Sequence, residues 1–373
     1  MRLISANDWC RRQPLPTIAV HMATLSQGEN KGTNPLRGWQ VDRASIRTIG
    51  RDLQRPECIL AERDGTLWSA DARGGVMRIA PDGTQQLVAQ HVDARFATGS
   101  SNDPDRYVLQ GTLPNGLAFA RNGDILIANF GTDAIERMTR KGQSRTLHRE
   151  MDGRPLGKTN FILRDSRDRI WITVTTRVVP WTRSVPERIA DGYIALIDDK
   201  GMRIVADSFF GTNEIRMDAR EEWLYVVESN ARHISRLRVQ PDGSLTDREI
   251  YGPADLGGIP DGFAFDAYGN LWVTLVMYDR LIAITPEREV LMLLDDGGPA
   301  NATEIDRQFY AGTFAPNTMP RAGGTLAPWM ASLTFGGPDL RTVYLGSLKG
   351  TTIPYFRAPV AGLPMVHWNE ASA

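Results

Sequence analysis

Short runs in which apolar and polar residues alternate recur along most of this chain, each stopped by Asn, Asp or Gly. They align as LPNGLAFARNGDILIANF (113–130), TNFILRDSRDRIWITV (159–174), TNEIRMDAREEWLYVVES (212–229) and PDGFAFDAYGNLWVTL (260–275). An earlier copy, PECILAERDGTLWSADARGGVMRIAPDG (56–83), carries Glu57 in the leading position, and a looser last copy is ASLTFGGPDLRTVYLGS (331–347). Alternation with period two predicts strands that face a core on one side, and the polar turns between them predict hairpins. The copies begin roughly 45 to 70 residues apart, the scale of one propeller blade. Helical periodicity is convincing nowhere, and no strand-helix alternation appears. Six copies predict an all-β protein, a six-bladed β-propeller forming one domain over 39–373. The early run WQVDRASIRTIG (39–50) is expected to add the outer strand that closes the last blade, because an open array leaves bare strand edges. Residues 1–38 are polar and aperiodic and are expected to form an extension outside the propeller.

Composition changes this picture little. The 373 residues carry a formal net charge of −1, which offers no general attraction to nucleic acid or an anionic membrane. Apolar runs stay well short of the ~18 residues that a membrane helix needs. Two cysteines, Cys10 and Cys58, make no disulfide framework, and a cytoplasmic protein is the expectation.

Chemistry enters through the leading positions of the repeats. Glu57, Asn115, Asn160, Asn213 and Asp261 stand just before or at the start of inner strands, which in a propeller surround the axis. Taken singly, Asn and Asp are also what turns favour. Several oxygen donors at matched blade positions, with a Glu that is no turn former, instead predict a site for a hard divalent cation.

These residues also carry a resemblance. Glu57 in RPEC, Asn160 in GKTNF, Asn213 in GTNEI and Asp261 in IPDGFAFDAYGNLWV resemble the SMP-30/gluconolactonase/regucalcin family over roughly residues 45 to 362. The resemblance implies a six-bladed propeller with a divalent metal on its axis, held by Glu57, Asn213 and Asp261, with Asn160 contacting metal-bound water or substrate. It implies hydrolysis of a lactone, with Asp261 or the metal itself activating the attacking water. Calcium is favoured by the all-oxygen donors, and zinc, manganese or magnesium are alternatives. Asn115 matches no functional position of the family and is either a lining residue or a plain turn. The sequence departs from the family at Phe161, where Asp is usual, at Glu214, where Gly is usual, and at Lys158, the basic residue two positions before Asn160.

Two segments interrupt the repeat, RVVPWTRSVPERIADG (177–192) and EIDRQFYAGTFAPNTMPRAGGTLAPWM (304–330). Their aromatic and Met content predicts an apolar rim, so Trp181 and Trp329 join Lys158, Asn115 and Phe161 as expected substrate contacts. The expected partner is a small lactone, apolar or bulky. The competing readings are a phosphotriesterase-like or strictosidine-synthase-like enzyme on the same scaffold and a non-catalytic ligand-binding propeller. The last would not require a carboxylate and amides at matched axial positions.

Overall fold

The computed structural model describes residues 33–90, 111–314 and 323–370. Residue contacts divide the chain into two units, 1–34 and 35–373, and all the sheets lie in the second. Most of the expected N-terminal extension, residues 1–32, lies outside the described residues.

Six four-stranded antiparallel sheets are present among the described residues, five of them built from consecutive strands. Their innermost strands are Ile59–Ala61, Pro114–Phe119, Thr159–Arg164, Thr212–Met217, Ile259–Phe265 and Met330–Gly336. Each of these packs on the inner strand of the next blade, and the last packs on the first, so the ring closes. The sixth blade takes its outer strand from the beginning of the chain. Arg47–Ile49 pairs antiparallel with Ile353–Tyr355, as expected from the run at 39–50. Strands from both ends of the chain thereby share the sixth blade, which ties the ring shut and completes that blade's four strands.

The D-x-x-x-N-x-W portion of the fifth repeat is a structural device. Asp266 Oδ1 accepts from the backbone N–H groups of Tyr268, Gly269 and Asn270, and its Oδ2 accepts from the Asn270 amide and the Trp272 indole at 2.9 Å. Asp165 accepts the Trp171 indole in the same way, and Glu62 accepts that of Trp68. One acidic residue thus pins a hairpin turn and fixes the large ring that fills the core between blades.

One element was not anticipated. Pro299–Ala311 forms an α-helix, α1, that begins just before the second interruption of the repeat and runs into it. Ala302, Ile305 and Phe309 face the core at helical spacing, Pro299 occupies the first turn, and Gly312 ends the helix in a left-handed conformation. Arg232 anchors it: Nη1 pairs with Asp306 at 2.6 Å and Nε with Asp255 at 3.0 Å.

In the fourth blade, burial would raise the Glu228 pKa, but hydrogen bonds outweigh it. They come from His233, Ser235 and the Phe210 N–H, with Arg248 adding its charge, and they hold Glu228 down at about 2. A carboxyl with a depressed folded-state pKa stabilises the fold above its unfolded pKa and loses that contribution as pH falls through the folded value. Between pH ~4.5 and ~2 this one group is expected to withdraw about 3 kcal/mol. Denaturant titrations across that range should show a shallower acid slope in Glu228→Gln than in the wild type. Equal slopes would contradict the assignment.

Candidate functional site

The inner strands share an irregularity where the sequence places its candidate ligands. Ladder register slips between Pro114 and Leu117, Thr159 and Phe161, Thr212 and Ile215, Pro260 and Phe263, and Met330 and Ser332. Within those slips stand Asn115, Asn160, Asn213, Asp261 and Ala331, while Glu57 precedes the first inner strand. A bulge bends its strand and re-aims a side chain. Here five blades direct a polar group towards the axis and the sixth directs only a methyl. The second strands clamp the bulges. Thr173 Oγ1 accepts from Phe161 N at 3.0 Å and donates to Asn213 O of the next blade at 2.7 Å. Thr274 Oγ1 does the same for Gly262 N and Ala331 O.

Gly262 after Asp261 is demanded by space. A Cβ there would lie 2.5 Å from Ala331 O and 2.6 Å from a Glu214 carboxylate oxygen. Glu214, where the family usually has Gly, puts its buried carboxylate beside this gap and pairs with Arg216 at 2.8 Å.

A cavity of about 100 Å³ opens at this level of the axis. Glu57, Asn115, Asn160, Asn213 and Asp261 all line it, together with Arg55. Trp181 and Trp329 are in its wall, with Phe130, Val276, Met277 and Phe314. Two of the expected substrate contacts are elsewhere. Phe161 is 1% exposed and points into the core, with the Arg216 guanidinium 4.5 Å from its ring centre. It follows Asn160 directly on the same strand, and with Asn160 aimed at the axis its neighbour turns away. Lys158 is turned behind Phe130, pairing with Asp133 at 2.9 Å and donating to Phe130 O. Both expectations are therefore corrected: neither side chain is among the lining residues.

Sequence reasoning missed Arg55 and Ser229. Arg55 Nη2 lies 2.7 Å from Glu57 Oε2 and donates to Asn115 Oδ1 at 2.6 Å. Arg55 stands two positions before Glu57, and a basic residue so near a candidate ligand was the available signal. Ser229 accepts from the Asn213 amide at 3.3 Å and donates to Pro260 O at 2.7 Å, tying two ligand-bearing strands together. Nothing in the repeat marks it.

Electrostatically the cavity is short of positive charge. Burial, opposed by Arg55, lifts Glu57 to about 7. Burial, then the neighbouring Glu57 and Glu214 carboxylates, push Asp261 well above the usual carboxylate range. The oxygens are also under-used. Asn160 Oδ1 and Asn213 Oδ1 are buried without a hydrogen-bond donor, and none is aimed at Glu57 Oε2, although Arg55 is at ion-pair distance. Buried oxygens left bare cost about 1–3 kcal/mol each. Bare oxygens beside two strained carboxylates are the environment that a divalent cation relieves.

The profile of the SMP-30/Gluconolactonase/LRE-like region matches residues 56–303, more than half of the chain. The chain belongs to this family. The family match ends before the last blade, which the fold supplies. Solved propellers are similar in fold. A gluconolactonase of Xanthomonas campestris has a TM-score of 0.60 at 18% identity, over 84% of this chain and 89% of that one. A luciferin-regenerating enzyme has a TM-score of 0.62 at 15% identity, over 86% and 98%. A calcium-binding regucalcin of Agrobacterium tumefaciens has a TM-score of 0.59 at 14% identity, over 84% and 95%. An uncharacterized Sulfolobus acidocaldarius protein is 25% identical over 171 residues, 45% of this chain, and that match spans 58% of the relative's length.

Proposed function

We propose that this family member is a cation-dependent lactonase acting on an apolar or bulky lactone. The observation that carries the reading is the convergence of Glu57, Asn160, Asn213 and Asp261 on one buried cavity, with several of their oxygens bare. A divalent cation, calcium by the all-oxygen donor set or else zinc, manganese or magnesium, would be held by Glu57, Asn213 and Asp261 with Asn160 beside them, and would supply Lewis-acid polarisation of a carbonyl.

The chain's own residues account for the rest. Asp261 accepts the proton of the attacking water as the water oxygen bonds the lactone carbonyl carbon. The ring C–O bond then breaks, and the proton passes to the departing ring oxygen, leaving a hydroxy acid. Asn160 orients the carbonyl from its place on the cavity wall. Trp181, Trp329, Phe130, Met277 and Phe314 form a wall that offers few partners to sugar hydroxyls. An added apolar group on the substrate is worth about 1.5–3 kcal/mol if buried there, and a hydroxyl without a partner costs about 1–3 kcal/mol.

The test is a panel running from gluconolactone to aryl- and alkyl-substituted lactones, with and without chelator. Hydrolysis is expected to stop on chelation and return with calcium. The aryl lactone is expected to exceed gluconolactone in kcat/KM by about tenfold or more, and Trp181→Ala should narrow that ratio. Full activity in chelator would remove the cation from the reading. Gluconolactone as the better substrate, with Trp181→Ala unchanged, would remove the apolar preference alone. Turnover of a phosphotriester but of no lactone would replace the reaction class.

A further inference from the structure

Arg55 is the one basic side chain on the cavity wall among the described residues. Its side chain is 5% exposed, its Nη2 meets Glu57 Oε2 at 2.7 Å, and its Nη1 donates to Pro114 O at 3.2 Å. Its Nε is buried with no hydrogen-bond partner. The backbone at Arg55 is left-handed, with φ of 58°, a conformation that side chains other than Gly and Asn rarely adopt. Strained backbone of this kind persists where the surrounding structure enforces it, often at functional sites.

Charge gives the arrangement its meaning. Arg216 is engaged by Glu214 at 2.8 Å, which leaves Arg55 as the counter-ion for both Glu57 and Asp261. With those three groups ionised the cavity carries one net negative charge. A divalent cation would take it to one net positive charge while competing for the Glu57 oxygen that Arg55 already faces. A guanidinium and a dication cannot both hold that oxygen without strong repulsion at such short range.

We propose that Arg55 is a built-in counter-cation that occupies Glu57 in the cation-free protein and must be displaced from it when a divalent cation binds, so that Arg55 sets the site's cation affinity. This rests on the cation reading of the site. It predicts a trade-off: the ion pair keeps the empty cavity tolerable and weakens the loaded one. Breaking one partner of a buried pair leaves the other charge uncompensated, so removal of Arg55 should make the cation-free protein less stable and the cation more welcome.

The experiment is calorimetric titration of calcium alone, and separately of manganese alone, into chelator-stripped full-length protein without lactone. Wild type, Arg55→Met and Arg55→Lys are compared, with thermal melts before and after loading. Arg55→Met is expected to bind about tenfold tighter or more, to melt lower than wild type when stripped, and to gain more on loading. Arg55→Lys keeps a charge but not the planar fork and should fall between. If Arg55→Met does not fold, Arg55→Lys decides, and affinity no tighter than wild type overturns the proposal. Wild type that binds while both variants bind equally or more weakly overturns the role of Arg55 and leaves the cation site standing. No binding to any of the three overturns both.

Discussion

Asp261→Ala is expected to lose divalent-cation retention and lactone hydrolysis together, with turnover reduced by about a thousandfold or more. Asp261 is 4% exposed, at the bulge of the fifth inner strand, and no basic group among the described residues is paired with it directly. Alanine there removes one of two carboxylates facing the cavity and leaves Glu57, which already faces Arg55, with neutral amide oxygens, a weak hold on a hard cation. Stability should move the other way. Burial and the neighbouring carboxylates raise the Asp261 pKa, so its ionised form opposes folding, and that penalty grows as pH rises above the unfolded value. In chelator near pH 8 the variant should therefore melt no lower than wild type. Calorimetry, lactone assays and melting on the same preparation check all three outcomes. Normal cation binding and turnover would show that the ligand assignment is wrong.

A chain that begins at Arg51 is expected to fail to fold to a soluble monomer, whereas one that begins at Pro35 is expected to keep its fold. The first lacks Arg47–Ile49, the outer strand of the sixth blade, and bares the edge of Ile353–Arg357. It also lacks Leu36 and Val41, which are buried, and Trp39, which packs against Trp272 and Phe356. Each fully buried apolar side chain of this size is worth about 1.5–3 kcal/mol, so Leu36 and Val41, with the half-buried Trp39 adding to them, contribute a sizeable part of the ~5–15 kcal/mol that a typical domain has in all. An exposed, flat strand edge adds a route to aggregation. The second chain retains every one of these residues. Size-exclusion chromatography and thermal melts of the two would separate them, and an equally stable chain from Arg51 would mean that ring closure contributes little.

The position of helix α1 shows how a signal can be present yet outvoted. Ala302, Ile305 and Phe309 stand at helical spacing between Pro299 and Gly312, which are sound start and stop markers. The spacing is short, the segment is largely polar, and it interrupts a strongly strand-like chain. Arg232, far away in sequence, supplies the ion pair to Asp306 that fixes it. Residues 315–322 of the same interruption lie outside the described residues.

The candidate site divides along similar lines. The cavity places of Glu57, Asn115, Asn160, Asn213 and Asp261 could be read from repeat register, because equivalent positions of a closed ring must meet near its axis. Phe161 could not be placed that way. At a bulge one residue more or less decides which side chain faces the axis, and the slip between Thr159 and Phe161 gives that direction to Asn160.

By itself the sequence determined the strands, the turns, the number of blades and the early strand that closes the ring. These depend on alternation and turn chemistry, which act between neighbours along the chain. Only the tertiary structure decided which donors stand bare in the cavity, that Lys158 is spent on Asp133, and that Arg55 faces Glu57 in a space where a cation would also fit. Those outcomes depend on burial and on charges brought together from separate blades, and a desolvated oxygen has no signature until its surroundings close over it.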